Sequence, residues 1–194
     1  METMETKYSY TADWFLRSEL RILCPKVLDK NKKLRILEIG SYEGLSACFF
    51  SDNFLNHPES HMDCVDPFDL GDTTTPLTSI TKTFFSDNIS KSTNSVKVTL
   101  HEKYSKDFFK WYDSEPYDFI YIDGSHLPDD IIHDMVQSFA MLKSGGIMWM
   151  DDYLFGTPPD DTVRRTMNYV LSDRLSPDSF EVIHAGYQLA IRKK

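Results

Sequence analysis

The sequence predicts an α/β fold, doubly wound around a mostly parallel sheet, and three observations carry that prediction. Short apolar runs alternate with segments of helical periodicity. Several of these runs end at glycine or aspartate, as buried parallel strands do before a loop. The last two runs, FEVIH and YQLAIR, are separated only by Ala185-Gly186. Parallel neighbours need a crossover of a dozen or more residues, so this hairpin-length connection makes the last strand run backwards.

The elements follow in order. Ala12, Leu16, Leu20 and Leu23 keep helical spacing until Pro25 makes continuation costly, which predicts a leading helix. LRILEIG reads as the first strand, Leu34 to Ile39. Leu45 to Phe54 turns helical, and HMDCVD supplies a second strand ending at Asp66. A long loop is expected from Pro67 to Thr78, then a helix at about Ser79 to Ser90, a third strand at Val96 to Leu100 and a helix at Ser105 to Trp111. YDFIYID is the fourth strand. The helix from Asp129 to Leu142 carries apolar residues at Ile131, Ile132, Met135, Val136, Phe139 and Leu142, and Gly145-Gly146 is expected to terminate it before the fifth strand, IMWM. A helix from about Asp161 to Leu171 precedes the hairpin.

Length and composition restrict the function. A chain of 194 residues, 41% hydrophobic, buries one good-sized core, so one domain is expected, with a helical segment over 1–30 and a core over 34–192. The repeated Met-Glu-Thr at the start is set aside from the fold argument. The net charge of −9, with basic residues scattered, argues against nucleic acid as a partner. No apolar run approaches the roughly 20 residues that cross a bilayer, and the polar start has no signal-peptide core. Cys24, Cys48 and Cys64 form no CxxC pair and read as reduced thiols. A cytoplasmic protein acting off the membrane is expected. Its oligomeric state is left open, a homodimer included.

Two constellations carry chemistry. The first is the strand-to-helix turn Glu38-Ile39-Gly40-Ser41-Tyr42-Glu43-Gly44, whose backbone N–H groups can approach a polar ligand at a helix N-terminus. It has neither the G-x-G-x-x-G nor the phosphate-loop spacing. Gly40 and Gly44 serve a tight turn as readily as a ligand, but Asp66, at the end of the second strand, can accept ribose hydroxyls beside that turn. The second is Asp123, Asp151 and Asp152, at the carboxyl ends of strands four and five, where open α/β sheets place their ligand crevice. Bare, these carboxylates repel and their pKa values rise; a hard divalent cation such as magnesium would neutralise them, although turn and capping roles suit the same spacing. His126 lies three residues after Asp123 on a loop, and its ordinary pKa of about 6.5 suits a general base.

Together, LEIGSYEG, the acid of CVDPF, YDFIYIDGSH and LKSGGIMWMDDY resemble the class I S-adenosylmethionine-dependent methyltransferases over about Leu34 to Arg192. Within the class they look most like the macrocin-type sugar O-methyltransferases and, more distantly, the catechol-type enzymes. The resemblance implies a Rossmann-like sheet of seven strands in the order 3-2-1-4-5-7-6 with helices on both faces. It implies that Glu38, Gly40, Ser41 and Ser46 surround the methionine part of S-adenosylmethionine, that Tyr42 also binds the cofactor, that Asp66 holds the ribose and that Pro67 and Ser105 flank the adenine. Asp123 also lies at the cofactor. It further makes Asp123, Asp151 and Asp152 ligands of Mg²⁺ or another divalent cation and His126 the base. The expected reaction is O-methylation of a sugar hydroxyl on a nucleotide sugar, glycoside or glycan. The alternatives are a catechol-type enzyme for a small phenol and a non-catalytic cofactor-binding module of a larger glycan-modifying protein. Phe68, Tyr153 and Phe155 are candidates to stack on the acceptor.

Overall fold

The computed structural model describes residues 3–69, 77–111 and 115–194. The strands are β1 Arg35–Ile39, β2 His61–Val65, β3 Val98–His101, β4 Tyr117–Ile122, β5 Leu142–Met150, β6 Phe180–Ala185 and β7 Leu189–Lys193. They form a seven-stranded sheet in the order β3-β2-β1-β4-β5-β7-β6. β1, β4 and β5 are parallel, as are β2 and β3, whereas β7 runs antiparallel to both β5 and β6. The expected order and the reversed last strand are both present. The helices are α1 Met4–Lys7, α2 Glu19–Val27, α3 Leu45–Phe54, α4 Leu77–Lys91, α5 Ser105–Trp111, α6 Pro128–Met141 and α7 Thr162–Tyr169. Contacts group the chain into two units, Met1–Leu34 with Ser41–Tyr104 and Arg35–Gly40 with Ser105–Lys194.

In the first unit α3 is apolar nearly all round and is buried accordingly, from Leu45 to Ser51 and again at Phe54. Phe49 meets Phe15, Phe50 and Phe54, each at 5.6 Å between ring centroids. Burial of each such ring contributes about 1.5–3 kcal/mol. On the exposed side of α3, Asp52 anchors the start of the chain. It accepts from the Tyr8 hydroxyl at 2.6 Å, from Lys7 Nζ at 3.1 Å and from the Thr93 backbone N–H at 2.7 Å.

In the second unit Ile36, Leu37, Phe119, Ile120, Met148, Trp149 and Ile191 are at most 1% exposed and form the strand core. α6 lays Ile131, Met135 and Phe139 against it, four residues apart on one helical face. The ends of β1 and β4 approach very closely. Pairing of Ile39 with Ile122 sets Gly40 beside Asp123, where a Cβ on Gly40 would lie 1.9 Å from the Asp123 carbonyl oxygen. Gly40 also has φ +81°, so only glycine fits this position.

Boundaries of three helices depart most from the sequence expectation, and the third strand begins at Val98, after a 3-10 turn over Ser95–Lys97, instead of at Val96. The leading helix begins at Glu19 instead of Ala12, because Ser18 caps it through a bond from the Leu20 N–H and residues Phe15–Arg17 form a separate 3-10 turn. It then runs through Pro25 to Val27; in a last turn the missing proline N–H removes little of the ladder. α6 ends at Met141 with Leu142 already extended, so Gly145 and Gly146 lie inside β5, at its irregular start, and do not terminate the helix. α7 stops at Tyr169 and closes in a π turn, Val170–Arg174. Most of the expected loop from Pro67 to Thr78 lies outside the described residues.

Burial alone would raise the Asp52 carboxyl, but the bonds from Tyr8, Thr93 and Lys7 outweigh it and hold the pKa below its ordinary value. A depressed folded-state pKa stabilises the fold above the ordinary carboxylate range, and the contribution disappears as pH falls through the lower value. Asp52→Asn is therefore expected to lower the unfolding free energy by about 2 kcal/mol at neutral pH, the scale of hydrogen bonds to a charged group. Its urea midpoint should also respond less than wild type to acidification below about pH 4. Equal acid sensitivity in the two proteins would contradict the anchor.

Candidate active site

Each unit carries one cluster. In the first, β2 ends at Val65 and Asp66 turns its carboxylate onto the loop that follows Gly40. Its Oδ2 accepts from the backbone N–H of Ser41 at 2.7 Å and of Tyr42 at 2.8 Å, and its Oδ1 from that of Phe68 at 2.6 Å. Burial raises the Asp66 pKa, and these three bonds oppose the rise. A carboxylate offers about four acceptor positions, so Asp66 retains capacity for about one further donor and cannot take both hydroxyls of a ribose while it holds the loop. Tyr42 has φ +46° and Phe68 φ +56°, conformations that cost a side-chain-bearing residue about 1–2 kcal/mol. Ser41 is 3% exposed, and its hydroxyl makes no hydrogen bond among the described residues. Ser46 is buried in the first turn of α3, and Pro67 is half-buried.

In the second unit β1 ends with Glu38 fully buried and Gly40 against Asp123. Asp123, Asp151, Asp152 and His126 come together at the ends of β4 and β5. The buried Tyr121 hydroxyl reaches Asp123 Oδ2 at 3.1 Å and also touches Asp151. One hydroxyl has one proton, which the two carboxylates share unless one of them is itself protonated. Protein surrounds the Asp123 carboxyl on most sides although the residue keeps an exposed face. This desolvation, then repulsion from Asp151 and Asp152, pushes it well above the carboxylate range. Desolvation likewise raises Asp151, opposed by Tyr121 and Gln188.

Asp152 behaves differently. Its Oδ2 lies 2.8 Å from His126 Nε2, and its Oδ1 accepts from the Tyr187 hydroxyl at 2.8 Å. These bonds outweigh burial and hold its pKa low, so the expected rise occurs at Asp123 and Asp151 but not at Asp152. The Asp152 partnership in turn raises His126 above its ordinary value. The Phe155 ring lies 4.5 Å from the His126 ring. As folded, these carboxylates face tyrosine and histidine partners. Among the described residues no three His, Cys, Asp or Glu are arranged to hold a metal ion, although an all-oxygen set that repels itself suits a hard cation chemically.

Sequence reading missed Tyr121, Tyr187 and Gln188. β7 pairs with β5 so that Met150 faces Leu189, and continuing that register sets Asp151 opposite Gln188 and Asp152 opposite Tyr187. The hairpin predicts antiparallel pairing but not this register. Ser105 and Ser125 have local partners. Ser105 bonds Asp134, and Ser125 accepts from the Leu127 N–H ahead of α6.

Residues 37–153, more than half of the chain, match the family model described as a methyltransferase domain. The chain belongs to that methyltransferase family. Among solved structures, the O-methyltransferase TomG from Streptomyces achromogenes, in complex with SAM, is similar with a TM-score of 0.66 at 17% identity over 97% of this chain and 83% of that one. The O-methyltransferase from Bacillus cereus, in complex with SAH, gives 0.61 at 13% identity over 98% and 100%. Cofactor-bound Rv0187 from MTB gives 0.65 at 14% over 95% and 81%. At these identities the likeness establishes the fold. No curated protein matches the methyltransferase. No helix among its described residues is long and apolar enough to cross a membrane.

Tyr187 and His126 compete for the charge of Asp152. Tyr187→Phe in the methyltransferase removes one donor and leaves the carboxylate a stronger partner for imidazolium. The His126 pKa, followed by NMR titration, should therefore rise further; an unchanged or lower value would remove Tyr187 from the cluster.

Proposed function

We propose that the methyltransferase transfers the methyl group of S-adenosylmethionine to a hydroxyl oxygen, with His126 as general base and a sugar or glycan hydroxyl as acceptor. The observation that carries this reading is the His126–Asp152 pair beside Asp123 and Asp151. Asp152 holds the Nε2–H tautomer and leaves Nδ1 to accept a proton. The acceptor oxygen attacks the methyl carbon in line, the carbon–sulfur bond breaks with its electrons on sulfur, and the hydroxyl proton passes to His126. The Asp152 charge then stabilises the imidazolium.

For the cofactor, the buried Ser41 hydroxyl, which makes no hydrogen bond among the described residues, is the supporting feature, with Asp66 taking one ribose hydroxyl. The similarity to TomG with SAM and to the Bacillus cereus enzyme with SAH supports the same cofactor here. Asp123, Asp151 and Asp152 are the residues that would hold magnesium, whose chemistry there is to lower the pKa of the acceptor hydroxyl. One observation favours a phenol as the second acceptor class: Phe155 stands against the base with 46% of its surface exposed, beside the similarly exposed Leu154.

A methyl-transfer screen with labelled S-adenosylmethionine over sugars and phenols separates the two acceptors. His126→Ala is expected to reduce turnover about 10²- to 10⁴-fold while S-adenosylhomocysteine still binds. Because a base must be unprotonated, turnover should climb with pH through the apparent pKa of His126 in the loaded enzyme. Near-normal turnover in the alanine variant would refute the base assignment.

Metal dependence has its own test. A chelator should abolish turnover, magnesium should restore it, and Asp151→Asn should raise the magnesium concentration required, since a negative ligand is lost. Full activity in excess chelator would leave the three aspartates as partners of Tyr121, Gln188, His126 and Tyr187.

A further inference from the structure

The turn after Gly40 is gripped by the start of the chain. Glu43 is only 2% exposed, and both its carboxylate oxygens accept from Thr11, Oε2 from the backbone N–H at 2.7 Å and Oε1 from the hydroxyl at 2.6 Å. On α4 the fully buried Asn88 donates both amide hydrogens, to the Ser9 carbonyl at 2.7 Å and the Glu43 carbonyl at 2.8 Å, and its Oδ1 accepts from the Ser9 N–H at 2.9 Å. Trp14 places its ring 5.3 Å from that of Tyr42 yet stays 70% exposed. Upstream, Lys7 and Tyr8 are tied to Asp52.

A buried glutamate is a costly way to pack a loop, and it is tolerated here because Thr11 satisfies it. The arrangement is therefore directional. If residues 9–14 leave, Glu43 loses both its Thr11 donors and Asn88 loses its Ser9 partners, so docking and undocking are two discrete states. Tyr42, held in a left-handed conformation and donating its N–H to Asp66, shares a peptide bond with Glu43, so the docked state favours the turn geometry that presents Ser41 and Tyr42.

We propose that Ser9–Trp14 is a strap whose docking on Glu43 and Asn88 sets the affinity of the turn for S-adenosylmethionine, with Thr11, Glu43 and Asn88 as positioning residues. The inference rests on the cofactor reading of Ser41, Tyr42 and Asp66. By linkage, cofactor must tighten the strap by the factor by which the strap tightens cofactor binding.

Thr11→Val deletes the hydroxyl at constant shape. It should weaken S-adenosylhomocysteine in calorimetry and raise the KM for S-adenosylmethionine by about tenfold, the scale of one hydrogen bond to a charged group. kcat at saturating cofactor should stay within about twofold, and Thr11→Ser should restore affinity. In the wild-type chain, S-adenosylhomocysteine should slow hydrogen exchange of the Thr11 amide by about the same tenfold. Trp14→Ala, at a position too exposed to threaten folding, should also weaken the nucleoside. A wild-type chain that binds S-adenosylhomocysteine with Thr11 exchange unchanged and a Thr11→Val variant of normal affinity overturns the strap alone. A loss in kcat equal to that in affinity does the same. A wild-type chain that does not bind S-adenosylhomocysteine overturns the cofactor reading and the strap together.

Discussion

The contact between Gly40 and the Asp123 carbonyl is the constraint on which the second unit depends. No side chain fits between them, so the ends of β1 and β4 align only with glycine at this position. The Asp123 N–H then donates to the Ile39 carbonyl at 2.8 Å, and the Asp151 N–H to the Ile122 carbonyl at 2.9 Å. Three successive strand ends are thereby placed in step, and the acidic residues that follow them converge. The carboxylates meet because backbone ladders bring them together against their repulsion.

That repulsion is distributed unequally. Asp152 is offset by His126 and Tyr187 and stays ionised, while Asp123 and Asp151 share the Tyr121 hydroxyl and hold protons more tightly. Carboxylates close together in the same cluster thus differ in charge state because their donors differ. The raised pKa of His126 follows from the same division, since imidazolium is favoured next to the carboxylate that stays charged.

In the first unit the same economy of donors appears in the loop after β1. Asp66 accepts from three backbone N–H groups, and Glu43 and Asn88 satisfy the strands of chain that reach the turn. The left-handed conformations of Tyr42 and Phe68 persist because both residues donate their N–H groups to Asp66.

The sequence by itself determined the alternation of strands and helices, the reversed last strand and the positions of Asp66, Asp123, His126, Asp151 and Asp152 at strand ends. Each of these is written locally, in periodicity, in a two-residue connection or in the residue that follows an apolar run. The tertiary structure alone decided that Tyr187 and Gln188 stand opposite Asp152 and Asp151, because strand register depends on packing between segments more than thirty residues apart. It also decided that Thr11 satisfies Glu43 and that Gly145-Gly146 falls within a strand, where Leu142 has already left the helix for pairing with Tyr117. Local pattern specifies which way a chain runs and where it turns; which polar groups then satisfy one another is fixed only when distant segments exclude water from the same place.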